Sequence, residues 1–410
     1  MKFSMNDLLQ SQMREATRLT QCGRLTEATQ VIQRAMSAVK VPAGPPSGPE
    51  AGVGVGVGAG AGASTVTLND VLDGCVREIY ADAKAFSDDQ AVDAALEQTA
   101  FSTPTATPPT TRTSAATSFT TPTPTKTAAF TEGAFVRGTQ RHRYKLFTPM
   151  QKAIDTPLAL VVMLHGCTQD PDDFALGTGM NAAASGEGEA LGFYVLYPSQ
   201  PRDVNPQGCW NWFDRAHQQR GRGEPAWIAE LTKQTARTHG VDPKRVYIAG
   251  LSAGGAMAAV VAAAYPDVFA AVGVHSGLPV GAANNLTQAL TAMKRGSSTA
   301  PGHPDTTVPT IVFHGDQDRT VHHVNGQALV AAAAVAADCT VHTQTGESRF
   351  GKKFTRSVYT SAERVQAEHW ELHNSGHAWS GGASEGSYTD PRGIDATQEM
   401  LRFFDLHRLN

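Results

Sequence analysis

One hexapeptide limits the folds open to this chain more than any other. Gly250-Leu251-Ser252-Ala253-Gly254-Gly255 stands between an apolar, β-rich run, Val246-Tyr247-Ile248-Ala249, and a small-residue helical run, Ala256–Ala264. A G-x-S-x-G turn that joins a strand to a helix holds its serine in a strained conformation above the end of a sheet, and its neighbours must be small. Gly250 and Gly254 satisfy that demand by letting strand and helix cross closely. The strand–turn–helix setting separates this stretch from a glycine-rich turn that merely carries a serine.

The surrounding residues extend the pattern. Arg141–Thr148 alternates as a strand. Leu158–Leu164 is an apolar run ending at His165-Gly166, and Gly192–Tyr197 is another, ending at Pro198. Trp227–Thr238 reads as a helix, and Arg245–Ala249, Ala270–His275 and Thr310–His314 read as strands. Strands alternating with helical segments predict βαβ units, hence an α/β fold with a central, mostly parallel sheet flanked by helices. Residues 132–410 are ample for one such domain.

A serine on such a turn becomes a nucleophile when an imidazole accepts its proton and a carboxylate orients the imidazole. In elbow-bearing folds these partners follow in the order Ser, acid, His. After the strand Thr310–His314 come two carboxylates, Asp316 and Asp318. The H-G-x-x-D-x-x-V register favours Asp318, with Asp316 as the competitor or a turn-stabilising residue. His369, His373 and His377 are the available late imidazoles. The first two lie in a period-two, strand-like stretch, where histidine packs or faces solvent; His377 lies in the small-residue loop Ser375–Gly382, from which it can reach Ser252. The backbone N–H of Ala253, at the helix start, and that of Cys167, after the early strand, are the expected oxyanion donors.

Taken together, Leu164-His165-Gly166-Cys167-Thr168-Gln169, Gly208-Cys209-Trp210-Asn211-Trp212-Phe213, Val246–Met257 and Gly376–Gly382 resemble the PHB-depolymerase-type esterases. These are α/β-hydrolase-fold proteins that include poly(3-hydroxybutyrate) depolymerases, feruloyl esterases and acetylxylan esterases. The resemblance covers about residues 135–408. It implies Ser252, Asp318 and His377 as the triad, in agreement with the register argument. The expected activity is that of a serine carboxylester hydrolase, foremost an intracellular poly- or oligo(3-hydroxybutyrate) depolymerase. The alternatives are a feruloyl or acetylxylan esterase, and an inactive granule-associated binding protein.

Trp210 and Trp212, with Phe213 beside them, are either plain core or walls of an acyl cleft, and the cleft is the expectation. Trp379, two residues after His377, is expected to cover the ester in the same way. Cys167 and Cys209 both fall in the matching motifs, and two states stay open for them: a disulfide, or free thiols as a reducing cytosol would keep them. Cys22, Cys75 and Cys339 show no metal-ligand spacing, and His322-His323 lacks a third ligand, so no metal is expected. The chemistry calls for no cofactor.

The front of the chain has a different character. Residues 1–40 carry apolar positions at helical spacing and predict a helical hairpin, either a cap or a seat on a hydrophobic polyhydroxybutyrate granule. Residues 41–131 are mostly Gly/Ala/Pro and Thr/Pro sequence, read as disordered linkers with one helix at 69–99. Secreted relatives carry signal peptides, whereas the opening Met-Lys-Phe-Ser-Met-Asn-Asp-Leu-Leu-Gln lacks the apolar core of one, so the expected location is cytoplasmic, with secretion the alternative. A net charge of -4 argues against a nucleic-acid partner. No apolar run reaches the length of a transmembrane helix. The expected partner is therefore an ester substrate, polymeric where the granule reading holds.

Overall fold

The computed structural model describes residues 128–150, 156–186, 192–297, 308–335 and 339–410. The helical hairpin expected over 1–40, the linkers expected up to 127 and the helix expected at 69–99 lie outside the described residues.

The central strands are short, β-branched and apolar: β3 Leu160–Leu164, β4 Tyr194–Pro198, β5 Val246–Leu251, β6 Ala271–His275 and β7 Thr310–Gly315 are buried along their whole length. A strand buried on both faces reads as a continuous apolar run, the signature of a parallel sheet covered by helices. These five and β10, Arg364–Leu372, run parallel in the order β4-β3-β5-β6-β7-β10. Antiparallel strands extend the sheet on both sides. β1 Ala129–Arg137 and β2 Gln140–Thr148 add beside β4, and β9 Lys353–Ser361 and β8 Thr340–Glu347 add beside β10, giving ten strands.

Successive side chains of each strand enter opposite cores. Val162, Leu164, Ile248 and Val274 pack on the helices Gly223–His239 and Ala253–Ala264, while Val161, Met163, Ala249 and Phe313 pack on Met400, Phe403 and Phe404 of the helix Ala396–Asp405. This is the expected α/β-hydrolase arrangement.

The sheet starts at Ala129, three residues ahead of the domain start expected at 132. Ala129, Phe130 and Thr131 pair with Thr148, Phe147 and Leu146, and the Phe130 ring meets Tyr197 edge-on at 5.5 Å. The parallel order brings the carboxyl ends of β3, β5, β6, β7 and β10 to one edge, where open α/β sheets place their sites.

Candidate active site

The elbow is built by close backbone contact. A Cβ on Gly254 would lie 2.1 Å from the Leu164 carbonyl oxygen, and one on Gly250 would lie 2.4 Å from the Gly254 carbonyl carbon. No larger residue fits either place. The crossing forces Ser252 to φ 58 and ψ −121, a conformation that costs a non-glycine residue roughly 1–3 kcal/mol and persists only where its surroundings fix it. Here the Ser252 N–H donates to the His275 carbonyl at 2.9 Å, and the Ser252 carbonyl accepts from Ala256 at 2.9 Å, opening the helix.

Asp318 follows β7, with its carboxylate fully buried. One oxygen accepts the backbone N–H groups of Thr320 (2.9 Å) and Val321 (2.8 Å); the other accepts His377 Nδ1 at 2.7 Å and lies 3.5 Å from His314 Nε2. Burial works against ionising Asp318, but the neighbouring His377 charge and the hydrogen bonds from His314 and His377 outweigh it, holding the carboxyl well below its ordinary range. The Asp318 contact fixes His377 Nδ1 as the donor nitrogen, which leaves Nε2 as the basic atom. Among the described residues the Ser252 side chain makes no hydrogen bond, so His377 is oriented from its carboxylate side. Such contacts tighten when substrate binds.

The competing residues form a second pair. His373 Nδ1 lies 3.2 Å from Asp316, its Nε2 lies 2.8 Å from Thr355 Oγ1, and the other Asp316 oxygen accepts the Asn374 N–H at 2.7 Å. Asp316 therefore braces the turn beneath His377. His369 is buried, and desolvation pushes its pKa down to about 4.

On the β3 side the Gly166 N–H donates to Gln169 Oε1 at 2.9 Å and the Thr168 N–H donates to the Gln207 carbonyl at 2.7 Å. Between them the Cys167 N–H has no acceptor among the described residues. A Cβ on Gly166 would lie 3.7 Å from Ser252 Cβ, so this loop borders the serine. The Ala253 N–H, first in its helix, is likewise outside the helical ladder. The arrangement offers a hydroxyl, a base oriented by a buried carboxylate, and two N–H groups for a developing oxyanion. Among the described residues no group of three or more His, Cys, Asp or Glu is placed to hold a metal ion.

Residues 142–352, just over half of the chain, match the family model for the PHB depolymerase esterases. The chain belongs to the esterase PHB depolymerase family. Among curated relatives, poly(3-hydroxyalkanoate) depolymerase C of Paucimonas lemoignei is 34% identical over 205 residues, 47% of this chain and 48% of that protein. Acetylxylan esterase A of Aspergillus ficuum is 31% identical over 188 residues, 40% of this chain and 58% of that one. The chain spans about half the length of the curated relatives it matches. Among solved structures, an acetyl xylan esterase from Aspergillus awamori aligns with a TM-score of 0.54 at 19% identity, over 67% of this chain and 99% of that one, and so shares its fold.

In this PHB depolymerase family chain Cys167 and Cys209 are joined in a disulfide. The thiol alternative is thereby set aside, and the bond ties the loop of the free N–H to the segment holding the tryptophans. Those tryptophans depart from expectation. Trp210, Trp212 and Trp379 are only 0%, 5% and 1% exposed, so they are core and not cleft walls. Trp210 donates its indole N–H to the His165 carbonyl at 3.0 Å, and Trp379 donates to Thr397 Oγ1 at 3.1 Å and stacks on His275. A buried indole N–H needs an acceptor, and those of Trp210 and Trp379, beside the site loops, find theirs in His165 and Thr397.

Sequence reasoning passed over the residues that hold these loops. His165 Nε2 accepts the Gln200 N–H at 3.2 Å, and the buried Glu224 accepts Gln200 Nε2 at 2.6 Å, the Asn211 N–H at 2.8 Å and Asn211 Nδ2 at 2.7 Å. Gln169 Nε2 donates to Asp173 Oδ2 at 3.0 Å and to the Ser387 carbonyl at 3.2 Å. His275 Nε2 accepts the Ser380 N–H at 3.0 Å; burial, followed by repulsion from His314 and His377, pushes its pKa down to about 3, so the ring is neutral and accepts. Gln169 and His275 lay in or beside stretches already singled out; Glu224 sits in a helix with no local signal.

Proposed function

We propose that this chain hydrolyses carboxylic esters through an acyl-enzyme on Ser252, and that its substrates are poly- or oligo(3-hydroxybutyrate) esters. The observation that carries the reading is the 2.7 Å contact between His377 Nδ1 and the buried Asp318 carboxylate, at the same sheet edge as the strained Ser252. In this mechanism His377 Nε2 takes the Ser252 proton as Oγ attacks the ester carbonyl. The Cys167 and Ala253 N–H groups bind the oxyanion, an interaction worth about 3–4 kcal/mol per donor in comparable sites. The protonated imidazole gives its proton to the departing alkoxide. Water, deprotonated by the same imidazole, then frees the acid.

The substrate class rests on family membership and on the name of the Paucimonas relative. Feruloyl and acetylxylan esters are the second class, favoured by the names of the fungal relatives and the shared fold. The Cys167–Cys209 bond bears on location: disulfides persist in oxidising compartments, so it supports secretion over the cytoplasmic expectation. Among the described residues no helix is long and apolar enough to cross a membrane.

The test is hydrolysis of p-nitrophenyl butyrate by the full chain and by Ser252→Ala. The variant should lose activity by about six orders of magnitude; retained activity would remove Ser252 from the mechanism. Side-by-side rates on 3-hydroxybutyrate oligomers and methyl ferulate then separate the substrate classes.

A further inference from the structure

Two residues at the mouth of the site are strained. Thr168 has φ 68 and Tyr388 has φ 52, in the left-handed region that β-branched and bulky residues rarely adopt. They are 220 positions apart in the chain, yet their hydroxyls share a hydrogen bond of 3.1 Å. Thr168 follows Cys167, whose N–H has no acceptor among the described residues, and is two residues from Gly166, which borders Ser252. Tyr388 lies in the loop that leads away from His377. The contact therefore joins the oxyanion side of the site to the base side.

Packing does not account for the tyrosine. Its side chain is among the exposed large ones, at 40%, while the three tryptophans of the neighbouring motifs are buried. Its backbone is held firmly nonetheless. The Tyr388 carbonyl accepts the Trp379 N–H at 2.7 Å, and on one side the Ser387 N–H donates to Asp173 at 2.8 Å. On the other, Thr389 Oγ1 donates to the Ala383 carbonyl at 2.8 Å, and the short strands β11, Trp379–Ser380, and β12, Thr389–Asp390, pair in parallel. An exposed aromatic fixed in a strained conformation on every side is the kind of outlier that clusters at ligand contacts.

We propose that Tyr388 is a substrate-contact residue that selects oligomeric hydroxyacyl esters over simple ones. Its ring forms the open wall of the cleft that the buried tryptophans do not provide. Its hydroxyl, accepting from Thr168, donates to the carbonyl of the repeat next to the scissile ester. A hydroxyalkanoate oligomer presents such a carbonyl at every repeat, and a simple acetyl ester has none. The inference rests on the ester-hydrolase reading and deepens it.

The experiment measures kcat/KM on 3-hydroxybutyrate trimer methyl ester and on p-nitrophenyl acetate, for the full chain and for Tyr388→Phe, Tyr388→Ala and Thr168→Ser. Tyr388→Phe should lower the trimer-to-acetate ratio roughly 2- to 12-fold, the value of one hydrogen bond, through KM. Tyr388→Ala should lower it further by removing the ring, and Thr168→Ser, which keeps the hydroxyl, should preserve the ratio. Tyr388→Gly, which adopts φ 52 without strain, replaces the alanine variant if that one fails to fold. An unchanged ratio in the tyrosine variants, or an equal loss on both esters, overturns the assignment. A wild-type chain inert toward both esters refutes the ester-hydrolase reading and this inference with it, whereas an active wild type with an unchanged ratio refutes the role of Tyr388 alone.

Discussion

The elbow and the loops that face it are held by different forces. Around Ser252 the bracing is steric: Gly254 lies against the Leu164 backbone, and Gly250 lies against Gly254. Around Cys167 and His377 the bracing is polar and long-range. Gln169 binds Ser387, Asp173 binds Ser387, Thr168 binds Tyr388, His275 binds Ser380, and Trp379 reaches Thr178 through Thr397. Van der Waals exclusion tolerates no extra atom, whereas each hydrogen bond contributes only about 1 kcal/mol, the His275 contact depends on a neutral ring, and the Cys167–Cys209 bond depends on redox state. Ser252 is therefore set by the backbone, and the loops that carry His377 and Cys167 by a network that acid or reductant can loosen.

The largest effect should come from the Asp318–His377 end of the network. Asp318→Asn keeps the shape of the side chain but removes the charge and the acceptor that fix the His377 tautomer. Loss of such a carboxylate lowers kcat by about 10⁴-fold. A loss under tenfold would show that His377 is oriented from elsewhere.

Next comes a direct contrast between the two regions. Gly254→Ala places a methyl group 2.1 Å from a backbone oxygen, so strand or helix must shift. The expected cost is at least about 1–3 kcal/mol, read as a drop of several degrees in the thermal midpoint. Gly376→Ala, beside His377, meets nothing within 4 Å and should change stability by less than about 0.5 kcal/mol. Equal shifts would erase the distinction between steric and polar bracing.

Reduction should affect the polar region more than the elbow. Cys167→Ser combined with Cys209→Ser is expected to cost about 2–4 kcal/mol and to lower kcat by loosening the Cys167 N–H. Thermal melts with and without dithiothreitol check it, since the double variant should no longer respond to reductant.

Acid should act through His275. Its pKa falls from 6.5 to about 3 on folding, so between those values the unfolded chain holds a proton that the folded chain excludes. Stability from this group is complete above pH 6.5 and declines as pH falls toward 3, with a slope of up to about 1.4 kcal/mol per pH unit. Protonation also removes the acceptor of the Ser380 N–H, so the strand that follows His377 should loosen first. The acid limb of a stability–pH profile should be shallower in His275→Gln; an identical limb would assign the proton to another histidine.

The same contrast explains what could be read in the sequence. The parallel sheet, the turn at Ser252 and the pairing of Asp318 with His377 were legible, because steric fit and strand–helix alternation leave local patterns of glycine and apolar runs. The position of Cys167 beside the elbow was legible because it follows a strand end. Trp210 and Trp379 were misplaced, since the sequence shows an aromatic but not the acceptor its N–H will find; Trp212 is buried in the same core cluster as Trp210. Glu224 and Ser387 left no trace, because their partners lie in other segments. The strands β8 and β9 also went unread: they pair as an edge hairpin with few buried side chains, so no apolar run marks them.

The most direct measurement is trapping the covalent intermediate. The 410-residue chain is incubated with a fluorophosphonate at neutral pH and digested, and the adduct is located by mass spectrometry. One adduct is expected, on the peptide containing Ser252, formed far more slowly in Asp318→Asn and absent in Ser252→Ala. An adduct on another residue, or none on a folded chain, would contradict Ser252 as the nucleophile.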